Sequence, residues 1–444
     1  MSWTRRRFLW GAAGVTAGFF GLRHLLSGPS PGVSSRYGRL VPEPTGTFLL
    51  PPGFSCTVFS KAGETMDDGF LVPGAHDGMA TFPGPDGRTI LVRNHELQAK
   101  DARTGPFGRK NELLARIDPK KLYDFGRGET PALGGTTTLV YDTNSRKLER
   151  HFLSLAGTLR NCAGGPTPWG TWISCEETVQ TAFGRFEKDH GYAFEVPASP
   201  EIALADPVPL KAMGRFNHEA AAVDPGTYDI YLTEDREDGL LYRFVAAKPG
   251  EPARGGRLQA LKVRDKPSLY TANRGRTRIA PGEPLAVEWI DLDEVDAPRD
   301  DLRSRGFARG AAAFARGEGI WTGKDGIYFC ATEGGERRKG QVWRLVPDAA
   351  RLELFVEPND ATILENCDNI TVAPWGDLFL CEDGPGWQNV VAVTPKGDLY
   401  LFAQNALNTG ELAGACFSPD GTTLFVNLQR PGLTAAIRGP WQPS

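Results

Sequence analysis

The chain has 444 residues, 40% of them hydrophobic, with 24 Phe, 10 Trp and a formal net charge of −4. That composition supplies a large packed core and excludes a disordered protein. Residues 1–30 hold four arginines and no acid, so the remainder is more acidic than the whole, which excludes nucleic acid as a natural partner.

The first segment reads TRRRFLW, followed by an apolar, Gly- and Ala-rich stretch from Gly11 to Leu26. A twin-arginine export signal has this form, with Arg5 and Arg6 read by the twin-arginine translocase. The stretch is short and is interrupted by Arg23 and His24, so it argues against a full membrane span. No good A-x-A cleavage site follows, which leaves a tethered form open. The expectation is a signal over residues 1–30 and a single domain over 31–444, periplasmic or secreted. This route carries folded proteins, so a cofactor can be inserted before export.

From residue 76 onward six segments share one pattern: HDGMATFPGPDG, NCAGGPTPWG, HEAAAVDPG, GEGIWTGKDG, CDNITVAPWG and LAGACFSPDG. Each begins as a strand beside a potential metal ligand and runs to a glycine turn. Second strands follow at RTILVRNHE, TWISCEE, TYDIYLTED, IYFCATEGGE, DLFLCEDG and TTLFVNLQ. Third strands fit GYAFEV, LLYRFVA, GQVWRLV, NVVAVT and LTAAIRG, and fourth strands fit LERHFLSL, LAVEWIDL, RLELFVE and DLYLFA. The pattern predicts an all-β fold, a six-bladed β-propeller with inserted loops and a metal cluster in its central channel. SCTVFSKAG near the N-terminus supplies the outer strand that the last blade lacks, which removes two open sheet edges. Insertions near residues 97–135 and 245–305 read as loops over one face, where they would shape access to the site.

At the ligand position five of the six segments carry Asp77, Cys162, Glu219, Glu318 and Asp368. Carboxylates are hard donors suited to calcium, magnesium or ferric iron, whereas a pure calcium site would not recruit a thiolate. The mixture predicts a mixed cluster. Further candidates stand at the ends of the second strands: Asn94 and Glu96, Glu176 and Glu177, Glu234 and Asp235, Glu333, Glu382 and Asp383. So many converging acids cannot all stay ionised without cations among them. His95 and His218 each precede a glutamate, but neither has the HExxH spacing of a zinc protease, so both read as orienting groups. Seven cysteines without a CxxC pair imply neither a fully paired disulfide framework nor a zinc knuckle, and Cys175, Cys330 and Cys381 read as core thiols.

Taken together, the export signal, RNHE, NCAGGPTPWGTWISCEE, GRFNHEAA, FARGEGIW, ENCDNI and CEDG resemble the PhoX-type alkaline phosphatases over most of the mature chain. The resemblance implies a di-iron centre with calcium ions that hydrolyses small-molecule phosphate monoesters. It makes Cys162 the iron thiolate, Glu219, Glu318 and Asp368 further metal carboxylates, and Glu177 a residue near calcium. Asp77, Glu96, Asp235 and Glu382 complete the expected metal set. Arg316 and Asn94 look like the groups that hold the phosphate oxygens, with metal-bound oxide or hydroxide as nucleophile. One departure is RGEG, where the family commonly has proline before the glutamate; Gly317 loosens the approach to Glu318. Two other classes compete: a calcium-dependent propeller lactonase or esterase, and a non-catalytic propeller that calcium merely stabilises.

Overall fold

The computed structural model describes residues 36–275 and 278–441, so the export-signal reading lies outside the described residues. Alternating apolar strands pair with their sequence neighbours through tight glycine turns, which gives antiparallel sheets throughout. The strands that open the six repeats are His76–Pro83, Asn161–Pro166, His218–Val223, Gly317–Thr322, Cys367–Val372 and Leu412–Phe417. They pack against one another in succession around a common centre. Apolar layers between the sheets, such as the one joining Ile173, Phe216, Leu232, Tyr242 and Leu258, hold the assembly together.

The hydrogen bonding corrects the expectation of a clean six-bladed propeller. The strands form five sheets, of six, three, ten, four and four strands. Four of them are arranged like propeller blades, and the ten-stranded sheet is nearly closed on itself, its end strands His218–Val223 and Gly317–Thr322 lying against each other. The cause lies in the second insertion. Residues 245–305 hold two strands as well as loops: Gly256–Val263 takes the fourth place, and Pro284–Asp291 pairs both with it and with Arg351–Val356. Pro284–Ala286 against Arg351–Glu353 is the seam that fuses two expected blades. The Asn161 repeat departs the other way and keeps three strands, ending at Ala193–Pro197. Ser55–Lys61 pairs with Leu433–Arg438, joining the two ends of the described chain as the sequence suggested.

A shared irregularity aims the ligand residues. In every opening strand the pairing register slips once, between His76 and Met79, Asn161 and Gly164, His218 and Ala221, Gly317 and Ile320, Cys367 and Ile370, and Ala413 and Cys416. The residues inside these bulges begin with Asp77, Cys162, Glu219, Glu318, Asp368 and Gly414. A bulge leaves a residue outside the ladder and redirects its side chain, so it can turn a core-facing position toward the centre. Two residues before four of the ligands the chain is left-handed, at Ala75, Arg160, Arg316 and Asn366, with φ of 45°, 47°, 57° and 54°. The sixth bulge offers no ligand because it has no room. Gly414 has φ +61°, and a Cβ there would lie 2.4 Å from the Asp77 carbonyl oxygen.

Candidate functional site

Where the bulges converge, two overlapping sets of buried donors form in place of one uniform channel cluster. Cys162, Glu177 and Glu219 make one set, and Glu219, Glu318 and Asp368 the other; within each, the candidate ligand atoms lie within 4.8 Å of one another. Glu219 belongs to both. It is 0% exposed, and neither of its oxygens has a hydrogen-bond partner. Glu318 Oε1 has an ion-pair partner in Arg316 Nη2 at 2.8 Å, but the approach is off the hydrogen-bond direction and that oxygen also goes without a bond. Leaving buried carboxylate oxygens without donors costs several kcal/mol, of the order of 3–5 for an uncompensated charge. Orphaned oxygens facing one point beside a thiol fit a bound metal ion, which supplies the missing charge.

The electrostatics agree. Burial, followed by Asp368, Glu177 and Asp77, pushes Glu219 well above the usual carboxylate range. Burial together with Asp235, Asp368 and Glu219 does the same to Glu318, and burial together with Glu96 and Asp368 to Asp77. Asp368 rises to about 7 through burial and the nearby Asp383, and burial, then Asp77 and Glu219, drives the Cys162 thiol well up. Each of these groups would be stabilised in its ionised form by a cation.

Around the donors stands a belt of paired charges. Arg160 bridges two acids, with Nη2 at 2.8 Å from Glu96 Oε1 and also bonded to Glu177 Oε2. Arg316 donates to both oxygens of Asp235, from Nε at 2.7 Å and Nη2 at 2.8 Å. The two arginines occupy the same place, two residues before a bulge ligand and in the same left-handed conformation. Gln429 Nε2 ties Asp77 Oδ2 at 3.2 Å to Glu96 Oε2 at 3.0 Å.

The second strands end in neighbouring polar residues that divide the labour. Glu176, Glu234 and Glu382 pair across to the opening strands and spend their oxygens on the returning loop. Glu176 accepts from Leu159 N and Gly191 N, both at 2.8 Å, and meets His190 Nδ1 at 2.6 Å. Glu234 accepts from the Tyr242 hydroxyl at 2.7 Å, and Glu382 from Glu365 N at 2.7 Å and Asn389 Nδ2 at 2.6 Å. The residues immediately after them, Glu177, Asp235 and Asp383, belong with the charged belt; Glu96 follows His95 in the same way.

Two of the expected site residues therefore stand apart from the donor sets. Glu382 lies outside both donor sets as a loop anchor, and Asp383 holds the place it was given. Asn94 is 0% exposed and its amide is engaged within the fold: Nδ2 donates to the Ala163 carbonyl at 2.6 Å, and Oδ1 accepts from Trp172 Nε1 and Ser174 Oγ, both at 2.9 Å. It braces the strand that carries Cys162. His95 and His218 engage backbone carbonyls, of Gly74 at 2.9 Å and Gly214 at 3.0 Å. Cys175, Cys330 and Cys381 are free thiols in the core.

Sequence reasoning passed over Arg160, Gln429 and Glu411. Arg160 was findable, because RNC repeats the offset of RGE. Glu411, raised well above the carboxylate range by burial, Asp77 and Asp368, stands just before the one opening strand that lacks a ligand. A cavity of about 690 Å³ lies away from all of these acids, among Pro374, Gly421 and Trp441, whereas one of about 360 Å³ adjoins Arg160.

The bulge-borne donor sets on an all-β scaffold are consistent with a metal-dependent hydrolase. Residues 35–432 match the alkaline phosphatase PhoX family, and the chain belongs to that family. Its fold is similar to that of Pseudomonas fluorescens PhoX in complex with vanadate, a transition-state analogue, with a TM-score of 0.64 and 18% identity over 90% of this chain and 97% of that one. A gluconolactonase from Xanthomonas campestris aligns over 88% of this chain and 99% of its own at 11% identity, with a TM-score of 0.41. No curated protein matches the sequence.

Proposed function

We propose that this protein is an exported phosphatase that hydrolyses phosphate monoesters at an iron and calcium cluster. The observation that carries the reading is the pair of donor sets sharing Glu219, whose two oxygens are buried and unbonded. Cys162 would hold iron, the soft donor in an otherwise hard set, with Glu219, Glu318 and Asp368 as carboxylate ligands and Glu177 toward calcium. When bound, such cations neutralise phosphate oxygens and acidify water.

The chain's own part is to bind and orient. Arg316 is half-buried, and Asp235 and Glu318 hold its guanidinium from two sides. Asp235 and Glu318 take Nε and Nη2, which fixes the plane of the guanidinium and leaves Nη1 to donate to a phosphate oxygen. Asp77, Glu96 and Glu411 extend the acidic wall, with Arg160 and Gln429 keeping Glu96 in place. The twin-arginine motif supports the exported location. Among the described residues no helix is long and apolar enough to cross a membrane.

Elemental analysis of the exported protein, isolated without chelator and assayed in parallel on p-nitrophenyl phosphate, tests the reading. Iron with calcium and phosphate release are expected. In Cys162→Ala iron should be lost, while Arg316→Ala should keep its metals and lose turnover. Calcium without iron, or full iron in Cys162→Ala, would remove Cys162 from the centre.

A further inference from the structure

The cavity beside Arg160 points to a substrate class. It has a volume of about 360 Å³ and is lined by Gln98, Lys100, Arg160, Thr178, Arg185 and Phe186, among others. Its position follows from the chain: Gln98 is two residues beyond Glu96, Thr178 directly follows Glu177, and Arg160 bridges those two acids. The cavity therefore opens from the edge of the charged belt outward, where the organic part of an ester held at the centre would lie. A volume of this size accommodates a group of several carbon atoms.

Its charge is one-sided. No Asp or Glu lines it. Arg160 is committed to Glu96 and Glu177, whereas Lys100 and Arg185 are exposed and, among the described residues, pair with no carboxylate. Two exposed cations that line one cavity with Arg160 and Phe186 suit an anion on the leaving group.

We propose that the preferred substrates are phosphate monoesters whose organic group carries a second negative charge, a carboxylate or a further phosphate, received by Lys100 and Arg185. The inference rests on the phosphatase reading and sharpens it. Two exposed cations acting together give a preference of about fivefold, equivalent to about 1 kcal/mol.

The test compares glycerol 3-phosphate with 3-phosphoglycerate, which share a three-carbon skeleton and differ by a hydroxymethyl group against a carboxylate. In the wild-type protein kcat/KM should be about fivefold higher for 3-phosphoglycerate, with the advantage falling as salt is added. In the double variant Lys100→Ala/Arg185→Ala the ratio should fall to about one, while glycerol 3-phosphate is turned over as before. Equal values in the wild-type protein, or a preference that survives in the double variant, overturn the proposal and leave the phosphatase reading standing. Hydrolysis of neither ester overturns the phosphatase reading and this proposal with it.

Discussion

Glu219 and Glu234 lie on neighbouring paired strands, both 0% exposed, and could hardly be treated more differently. Glu234 accepts bonds from Leu240 N and the Tyr242 hydroxyl and faces Arg303, whereas Glu219 has no donor at either oxygen. Glu318 Oε1 shares the bare state of Glu219, whereas the bulge acid Asp77 accepts from Gly78 N and Gln429 Nε2. Where a buried carboxylate is fully bonded it holds a loop; where it is left bare, stability has been given up for a ligand.

The sharpest way to break that contrast is Glu219→Gln. Removing the ligand shared by both donor sets should lower kcat/KM on a phosphate ester by about 10³ or more and deplete bound metal. In chelator-treated protein the same change should leave the melting temperature nearly unchanged, because the carboxyl, pushed well above its usual range by burial and the neighbouring acids, is already neutral there and has no hydrogen bond to lose. A large loss of stability would place Glu219 among the loop anchors.

The reverse pattern is expected of Glu176→Ala, which strands His190 and three backbone amides, of Leu159, Gly191 and Tyr192. It should cost about 3–5 kcal/mol in denaturant unfolding, with metal per folded molecule retained. His190 itself gives a pH signature. Burial works to lower its pKa, but Glu176 and Asp124 outweigh burial and raise it to about 9. Because the folded value lies above the ordinary 6.5, its contribution is complete below about pH 6.5 and is lost as pH rises through about 9. Comparing wild type with His190→Gln, the stability gap should shrink by about 3 kcal/mol across that window. A gap that widens with pH would refute the charged triad.

The smallest effect separates neighbours. Glu382→Gln should cost about 1–2 kcal/mol of stability with little change in turnover, whereas Asp383→Asn should alter metal retention or turnover at nearly constant stability. Matching outcomes for the two would erase the proposed division.

The sequence displayed the bulge ligands because each precedes a small residue and an apolar strand, a pattern that survives in five repeats. It could not rank adjacent acids. Neighbouring residues in a strand face opposite ways, so assigning Glu382 rather than Asp383 was a slip of one position with the consequence of a reversed face. Asn94 misled for a related reason: a polar side chain in an apolar strand reads as a ligand until its partners, Trp172 and the Ala163 carbonyl, come from another sheet. The fused ten-stranded sheet was hidden in GRLQALKV, whose charged residues at both ends disguise a strand inside an insertion read as loop.

The pairing of Ser55–Lys61 with Leu433–Arg438 has a bearing on biogenesis. Ligands drawn from positions as far apart as Asp77 and Asp368 meet only when opening strands from across the chain are in place, and the sheet of the last of those strands is completed at its outer edge by a segment synthesised near the beginning. A ribosome-bound fragment lacking Leu433–Arg438 would carry every bulge donor yet leave Ser55–Lys61 without its partner strand, so the closure of the ring waits on the end of synthesis.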